Sequence, residues 1–139
     1  MKHFMIYLFV FFCVWGECSL AIAETQWDGE FSVEELGEKL NDGSQVFLRY
    51  DFKINSKNNH AFLSMTTWHA GIPCIGDYYL KTTSDILELY YSNIEKNACP
   101  YPSPQFKIKI KGNKYYIKSR MFAYAGRGKW LPLEHITSK

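Results

Sequence analysis

Three side chains in the middle of the chain have the residue types of a hydrolytic Ser-His-Asp triad. Ser64 lies on a predicted strand, His69 follows the end of that strand, and Asp77 comes soon after it. A serine hydrolase also needs a nucleophile on a sharp Gly-flanked turn and backbone N–H groups that stabilise the oxyanion. The sequence contains no Gly-x-Ser-x-Gly motif and no Gly-rich oxyanion loop. We therefore interpret His69 as a surface or capping histidine and predict no catalytic residue here.

Other residue types that support catalysis are equally sparse. Glu30, Glu34 and Glu35 match the carboxylate pair of a glycosidase by type only, and we interpret them as the solvated face of a strand. No His-x-x-x-His pair or acidic cluster has the spacing of a metal site, and no phosphate-binding loop is present. The sequence therefore predicts a protein that is not an enzyme and that holds no metal or cofactor.

The first residues have the layout of a secretory signal peptide. Lys2 precedes an apolar block, Phe4–Trp15, and Ala21-Ile22-Ala23 matches an A-x-A cleavage site. The block is shorter than the roughly 20 residues that span a bilayer. We therefore predict that residues 1–23 are removed as a signal peptide. Residues 24–139 would then form a single exported domain, periplasmic or secreted.

Two cysteines fall in the predicted exported domain, Cys74 and Cys99. Such a pair in an oxidising compartment predicts one disulfide. Closing a loop of about 25 residues would stabilise the fold by about 3.5 kcal/mol. Two free or metal-binding thiols are the alternative, which no Cys-x-x-Cys or His-rich spacing favours. A lipid anchor on Cys18 is a further alternative, and Glu17 disfavours it because lipidation sites have small residues there.

Apolar and polar residues alternate along most of the chain, which is the period of β-strands. Between Gln45 and Ile54 the apolar side chains occupy alternate positions, with Phe47 as the exception. For Glu34–Leu40, a short helical turn is the alternative to a strand. The further predicted strands span Trp27–Glu35, Ala61–Trp68, Tyr78–Thr83, Ile86–Ser92, Phe106–Lys111, Lys114–Arg120, Met121–Ala125 and Trp130–Leu133.

A lysine-rich hairpin is the strongest local prediction. Lysines alternate with apolar residues, and Gly112-Asn113 supplies a two-residue turn with glycine first. This turn pairs Lys111 with Lys114 and Lys107 with Lys118, so that the apolar residues share one face. We predict an all-β fold of about seven or eight short antiparallel strands, either a closed barrel or a two-sheet sandwich. We favour the barrel because a consecutive meander closes without leaving edges.

The segment Trp27-Asp28-Gly29-Glu30-Phe31 resembles the Trp-x-Gly-x-aromatic start of calycin-type barrels, the lipocalin and avidin-like group. In that group this Trp packs at the base of the barrel against a basic residue of the last strands, which the resemblance would make Arg127 or Lys129. In size, export signal and strand pattern the chain is also similar to small bacterial periplasmic inhibitor and immunity proteins, including the c-type lysozyme inhibitors. That resemblance implies inhibition by a surface loop. Gly126–Lys129 is its analogue here, without the Ser-Gly-rich sequence of the family's loop.

Charge is distributed unevenly along the chain. Residues 24–42 contain seven acids and one base, whereas residues 107–129 contain eight bases and no acid. Like charges placed opposite each other on neighbouring strands destabilise by up to about 1 kcal/mol per pair. Three explanations stay open. In the first, the barrel brings the acidic first strand beside the late strands, which neutralises the lysines internally. In the second, the lysines form a solvated face that prevents aggregation. In the third, an acidic partner binds them.

The third explanation implies an acidic protein surface or an anionic envelope polymer as partner, and not nucleic acid, because the protein is expected to be exported. We predict a periplasmic inhibitor or immunity-type protein that occludes a partner enzyme. The alternative is a calycin-like carrier of a small ligand, although abundant aromatic residues more often fill a small barrel than line a cavity. The expected contact residues are Lys107, Lys109, Lys111, Lys114, Tyr116, Lys118, Arg127 and Lys129.

Overall fold

The computed structural model describes residues 25–93 and 99–136, and eight antiparallel strands in this part of the chain form one closed barrel. Each strand pairs with the next one in the chain, and the last strand pairs with the first. The predicted closed barrel is confirmed, and the sandwich alternative is wrong. The predicted signal peptide, residues 1–23, lies outside the described residues. A 3₁₀ turn, Thr25–Trp27, precedes the strands β1 (Gly29–Lys39), β2 (Gln45–Asn55), β3 (His60–Trp68), β4 (Gly76–Thr83), β5 (Ile86–Tyr91), β6 (Phe106–Lys111), β7 (Lys114–Lys118) and β8 (Leu131–Ile136).

Alternating burial along the strands builds the core. Burying each large apolar side chain stabilises the fold by roughly 1.5–3 kcal/mol. Because side chains alternate along a strand, the face that carries the apolar ones turns inward. The outward residues of β2 include Arg49 and Asp51, and Phe47 is half-buried on the same side. The buried side chains of β2 are Val46, Leu48, Tyr50, Phe52 and Ile54.

Among residues 25–93 and 99–136, no helix is long and apolar enough to cross a membrane.

Aromatic rings fill the interior of the barrel. The Phe106 ring lies 4.9 Å from that of Phe52 and 5.7 Å from that of Tyr78, measured between centroids and with the rings edge to face. Tyr50 contacts Phe122 in the same manner at 5.2 Å. Such edge-to-face pairs add about 0.5–1.5 kcal/mol beyond the area that they bury. These five aromatic residues therefore form core, as the composition predicts for a small barrel.

Residues 119–130 connect β7 to β8 and close one end of the barrel, which we call the upper end. Met121 and Phe122 are buried there, but the segment forms turns. The predicted strand Met121–Ala125 is therefore wrong. The backbone N–H groups of Tyr124 and Ala125 donate to a side-chain carboxylate of β1 instead of to a neighbouring strand.

That carboxylate belongs to Glu35, for which the predicted solvent exposure is wrong, since its side chain is buried. One carboxylate oxygen accepts hydrogen bonds from the N–H groups of Tyr124 at 3.1 Å and Ala125 at 3.0 Å. The other oxygen accepts one from the Tyr50 hydroxyl at 3.0 Å. A buried carboxylate needs such donors, because burying it without them costs several kcal/mol. The strand β1 runs through this region, so the alternative helical turn over Glu34–Leu40 is also wrong.

Cys74 and Cys99 lie at disulfide-bonding distance, with their Cα atoms 4.4 Å apart, which confirms the predicted pair. The bridge joins the segment before β4 to the segment before β6, at the upper end of the barrel. The Tyr78 hydroxyl donates to the Cys74 carbonyl at 2.6 Å and so ties the bridge to the core. Closing a loop of this length stabilises the fold by about 3.5 kcal/mol.

The expected contact between the first Trp and a late basic residue is wrong. Trp27 is buried just before β1, at the end of the barrel where Glu30 pairs with Ile136. We call this end the base. Arg127 and Lys129 precede the first residue of β8 and lie at the upper end. The length of β8, about 20 Å at about 3.3 Å per residue, separates them from the base.

Candidate functional site

The predicted hairpin register is confirmed, and it aligns the lysines of β6 and β7 on the outer surface of the barrel. Lys107 lies opposite Lys118, and Lys111 lies opposite Lys114. Gly112 opens the turn with a φ of 64°, a conformation that glycine adopts without strain. We call the outward side chains of these two strands the basic face, and they are Lys107, Lys109, Lys111, Lys114, Tyr116 and Lys118.

Trp130, the last residue of the connection before β8, packs against the basic face. The Lys109 ammonium lies 4.3 Å from the centroid of the Trp130 ring, and the Lys118 ammonium lies 5.7 Å from it. Lys109 also lies 5.9 Å from the centroid of Tyr116. Contacts between a cation and an aromatic ring contribute about 0.5–1 kcal/mol each at exposed sites. The indole ring of Trp130 therefore packs against two lysines of the basic face.

The basic face has little internal neutralisation. Glu88 on β5 lies opposite Lys107 and, on its other side, opposite Lys81 of β4. Hydrogen bonds from Thr83 and Tyr90, with the charges of both lysines, hold the pKa of Glu88 below its ordinary value. Yet in the described ranges no base between positions 107 and 129 forms an ion pair with a carboxylate.

The acidic first strand does not neutralise the basic face. Its carboxylates pair with β2, where Glu34 lies 3.2 Å from Arg49 and Glu30 lies 3.7 Å from Lys53. On its other side β1 meets β8, which contributes Glu134, another acid. The first strand thus lies beside the last strand, as expected, but it forms no ion pair with the described lysines of β6 and β7 and does not account for their charge. A solvated face and an acidic partner remain.

Arg127 and Lys129 extend the positive charge past the end of β7. Both side chains are exposed in the connection at the upper end. The connection turns back on the hairpin, because the Gly128 N–H donates to the Ser119 carbonyl at 3.2 Å. The structure therefore brings these two bases to the same end as Lys118, while Lys111 and Lys114 lie at the base.

A cleft of about 520 Å³ opens beside the upper end of the basic face. Its basic side chains are those of Lys107, Lys118 and Arg120. Residues 101–105 form the facing wall. We call this site the basic cleft. Arg120 is a contact candidate that the sequence analysis did not single out.

A second cleft of about 810 Å³ lies over the junction of β1 with β8 and β7. Its lining carries both signs of charge, with Glu34 and Glu134 on one side and Lys114 on the other. Mixed charge gives no preference for one class of charged ligand. The basic cleft is therefore the better defined of the two sites.

The residues considered for catalysis do not assemble. Asp77 contacts the His60 ring at 2.7 Å. The His69 ring packs edge-on against Trp68, with the centroids 3.7 Å apart. Within the described ranges, no group of three or more His, Cys, Asp or Glu residues is arranged to hold a metal ion. The triad interpretation gains no support from this geometry.

No family model, curated protein or solved structure matches this chain. The interpretation of the basic face therefore depends on its own geometry and charge.

Proposed function

We propose that the protein is an exported binding protein that occludes an acidic partner enzyme with the basic face. One observation carries the proposal: the lysines of β6 and β7, which form no ion pair with a described carboxylate, lie beside two aromatic side chains, Tyr116 on β7 and Trp130 in the connection to β8. Buried aromatic anchors with a charged rim are the usual composition of protein interfaces. A surface already ordered by a closed sheet loses little side-chain and backbone freedom on binding.

The charge of the basic face favours a partner of opposite sign. Lys107 and Lys118 repel each other across the strands, and an acidic partner relieves this repulsion on binding. The same charge accelerates the encounter with an acidic surface. An anionic envelope polymer would use the charge but has less use for two aromatic anchors, so we prefer an acidic protein.

Export is part of the proposal. It is supported by the arrangement of residues 1–23 and by the disulfide of Cys74 with Cys99, a bond that persists in oxidising compartments. The small-ligand carrier stays an untested prediction. Aromatic rings occupy the barrel interior where its ligand would lie, so no structural observation favours it.

The test is capture and inhibition with surface variants. The protein is immobilised, acidic enzymes are captured from an envelope extract of the source organism, and the turnover of each captured enzyme is measured with added protein. We expect saturable inhibition by the wild type and at least about tenfold weaker inhibition by Lys109→Glu and by Tyr116→Ala. Raising the salt concentration from about 0.05 M to about 0.3 M should weaken the wild-type interaction.

The matched control is Lys57→Glu, which makes the same charge change on an exposed turn at the base. We expect it to inhibit as the wild type does. Equal capture by Lys57→Glu and Lys109→Glu would contradict the proposal, and so would a captured enzyme whose turnover is unaffected by the protein.

A further inference from the structure

The basic cleft has a wall that is already fixed before any ligand arrives. Gln105 is buried, and its side-chain oxygen accepts a hydrogen bond from the Tyr91 N–H at 2.8 Å. Its side-chain nitrogen donates to the Tyr101 carbonyl at 3.1 Å. These bonds hold the segment that faces the lysines against the end of β5. A preformed wall reduces the ordering cost of binding.

The floor of the cleft is fixed in a similar way. The Ser119 hydroxyl donates to the Gln105 carbonyl at 2.7 Å and accepts a hydrogen bond from the Met121 N–H at 3.0 Å. Ser119 lies between Lys118 and Arg120, so these bonds fix the backbone from which both basic side chains extend. The cleft is thus a built concavity and not a chance gap between mobile lysines.

The charged side chains that line the cleft are all positive. Lys107, Lys118 and Arg120 line it, and no carboxylate does so among the described residues. Glu88, the nearest acid along the strand row, faces Lys107 from β5 and lies outside the lining. Three cations around one concavity repel one another, and a bound oxyanion offsets that repulsion. The guanidinium of Arg120 adds a planar pair of donors that suits a carboxylate.

We infer that the basic cleft binds a carboxylate side chain from an extended acidic segment of the partner protein. Tyr101, Pro102 and Pro104 form an apolar rim beside the cations. That combination suits a side chain with an aliphatic stem and a charged tip more than an isolated phosphate. The inference rests on the proposed function, because it names the part of the partner that the protein recognises, and it adds Arg120 to the contact residues.

The experiment is a titration of the full protein with an end-capped pentaglutamate peptide, followed through the backbone amide signals of Ser119 and Arg120 by NMR. We expect saturable shifts at these amides and none with the matched pentaglutamine peptide. Lys118→Gln and Arg120→Gln should each weaken the affinity about tenfold. Lys57→Gln removes the same charge from the exposed turn at the base, outside the basic face, and should change the affinity by less than about twofold.

Equal weakening by Lys57→Gln and Lys118→Gln would overturn the inference, since the peptide would then be attracted by the overall charge and not by the cleft. Shifts with inorganic phosphate but not with pentaglutamate would also overturn it and would assign the cleft to phosphate. The outcomes also distinguish a failure of the proposed function from a failure of this inference. If pentaglutamate binds in the cleft but no enzyme is inhibited, only the function is wrong. If an enzyme is inhibited equally by Arg120→Gln and wild type, only the cleft is wrong.

Discussion

Glu35 is a charged side chain that the fold uses as a structural acceptor. It lies on the inward side of β1, in the same parity as Phe31 and Val33. Its carboxylate joins the Tyr50 hydroxyl of the core to the connection that closes the upper end. Because it collects three donors from two distant segments, this residue positions the connection that carries Arg120 and Trp130.

We predict that Glu35→Ala lowers the free energy of unfolding by about 2–4 kcal/mol, because it leaves a hydroxyl and two backbone N–H groups without their acceptor. Glu35→Gln keeps one acceptor oxygen and fills the same space, so it should cost only about 1 kcal/mol. Urea denaturation followed by tryptophan fluorescence measures both. Equal losses for the two variants would show that the hydrogen bonds of Glu35 do not carry the effect.

At the scale of elements, the β6–β7 hairpin determines the geometry of the candidate site. Its register is local, because a two-residue turn and strict alternation leave one pairing that buries every apolar residue. The turn itself needs Gly112, whose φ is 64°. An added Cβ at this position meets open space, so any effect of a substitution comes from the backbone conformation.

We predict that Gly112→Ala destabilises the protein by about 1–2 kcal/mol, since other residues adopt this left-handed conformation at that cost. Gly71→Ala is the matched control, because Gly71 also faces open space but has no left-handed φ. It should change stability by less than about 0.5 kcal/mol. Thermal denaturation of both variants measures the difference, and equal shifts would argue against a strained turn.

The sequence predicts those strands whose position is determined by nearby residues. Alternation locates β2, β6 and β7, and the turn residues fix the register of the hairpin. The predicted strand Met121–Ala125 is wrong, since a short apolar run has the same pattern in a strand and in a buried turn. What decides its conformation is a carboxylate about ninety residues earlier in the chain. Trp130 lies outside the core because Leu131 and Leu133 take the inward positions of β8.

At the scale of the whole molecule, buried tyrosines link stability to high pH. Burial raises the pKa of Tyr50 and of Tyr78 far above the ordinary value, with the charge of Glu35 adding to the shift at Tyr50 and that of Tyr91 at Tyr78. Below about pH 10 both groups hold their protons in the folded and the unfolded chain. Above it the unfolded chain releases protons that the folded barrel retains, so folding becomes less favourable.

We therefore predict that the free energy of unfolding is insensitive to these groups below pH 10 and falls above it. The slope should reach about 1.4 kcal/mol per pH unit for each of the two tyrosines. Urea denaturation between about pH 8 and pH 11.5 measures this slope, and Tyr78→Phe should lower it by up to about 1.4 kcal/mol per pH unit. A slope that Tyr78→Phe leaves unchanged would assign the alkaline loss of stability to other groups.

Closure of the barrel could be predicted from a consecutive meander, because a consecutive order of strands brings the first and the last together. The resemblance of Trp27–Phe31 to calycin-type barrels could not predict which end of the barrel holds Trp27 and which holds Arg127. The pairing of Glu30 with Ile136 is non-local and places Trp27 and Arg127 at opposite ends. The chemical class of a partner is still harder to predict from the sequence, because it depends on which surface charges have no neighbouring opposite charge in the folded protein.

The seam between β1 and β8 joins the two ends of the sheet through only three residue pairs, from Glu30 with Ile136 to Ser32 with Glu134. All the other seams join strands that follow each other in the chain, and their connections, even residues 92–105 and 119–130, are far shorter than the stretch between β1 and β8. The other seven seams can therefore form between neighbours in the chain. Pairing β8 with β1 brings together residues from the two ends of the domain, so it has the largest entropy cost of loop closure. We expect this joint to open before the others, because it closes the longest stretch of chain, and its opening would leave two strand edges without partners.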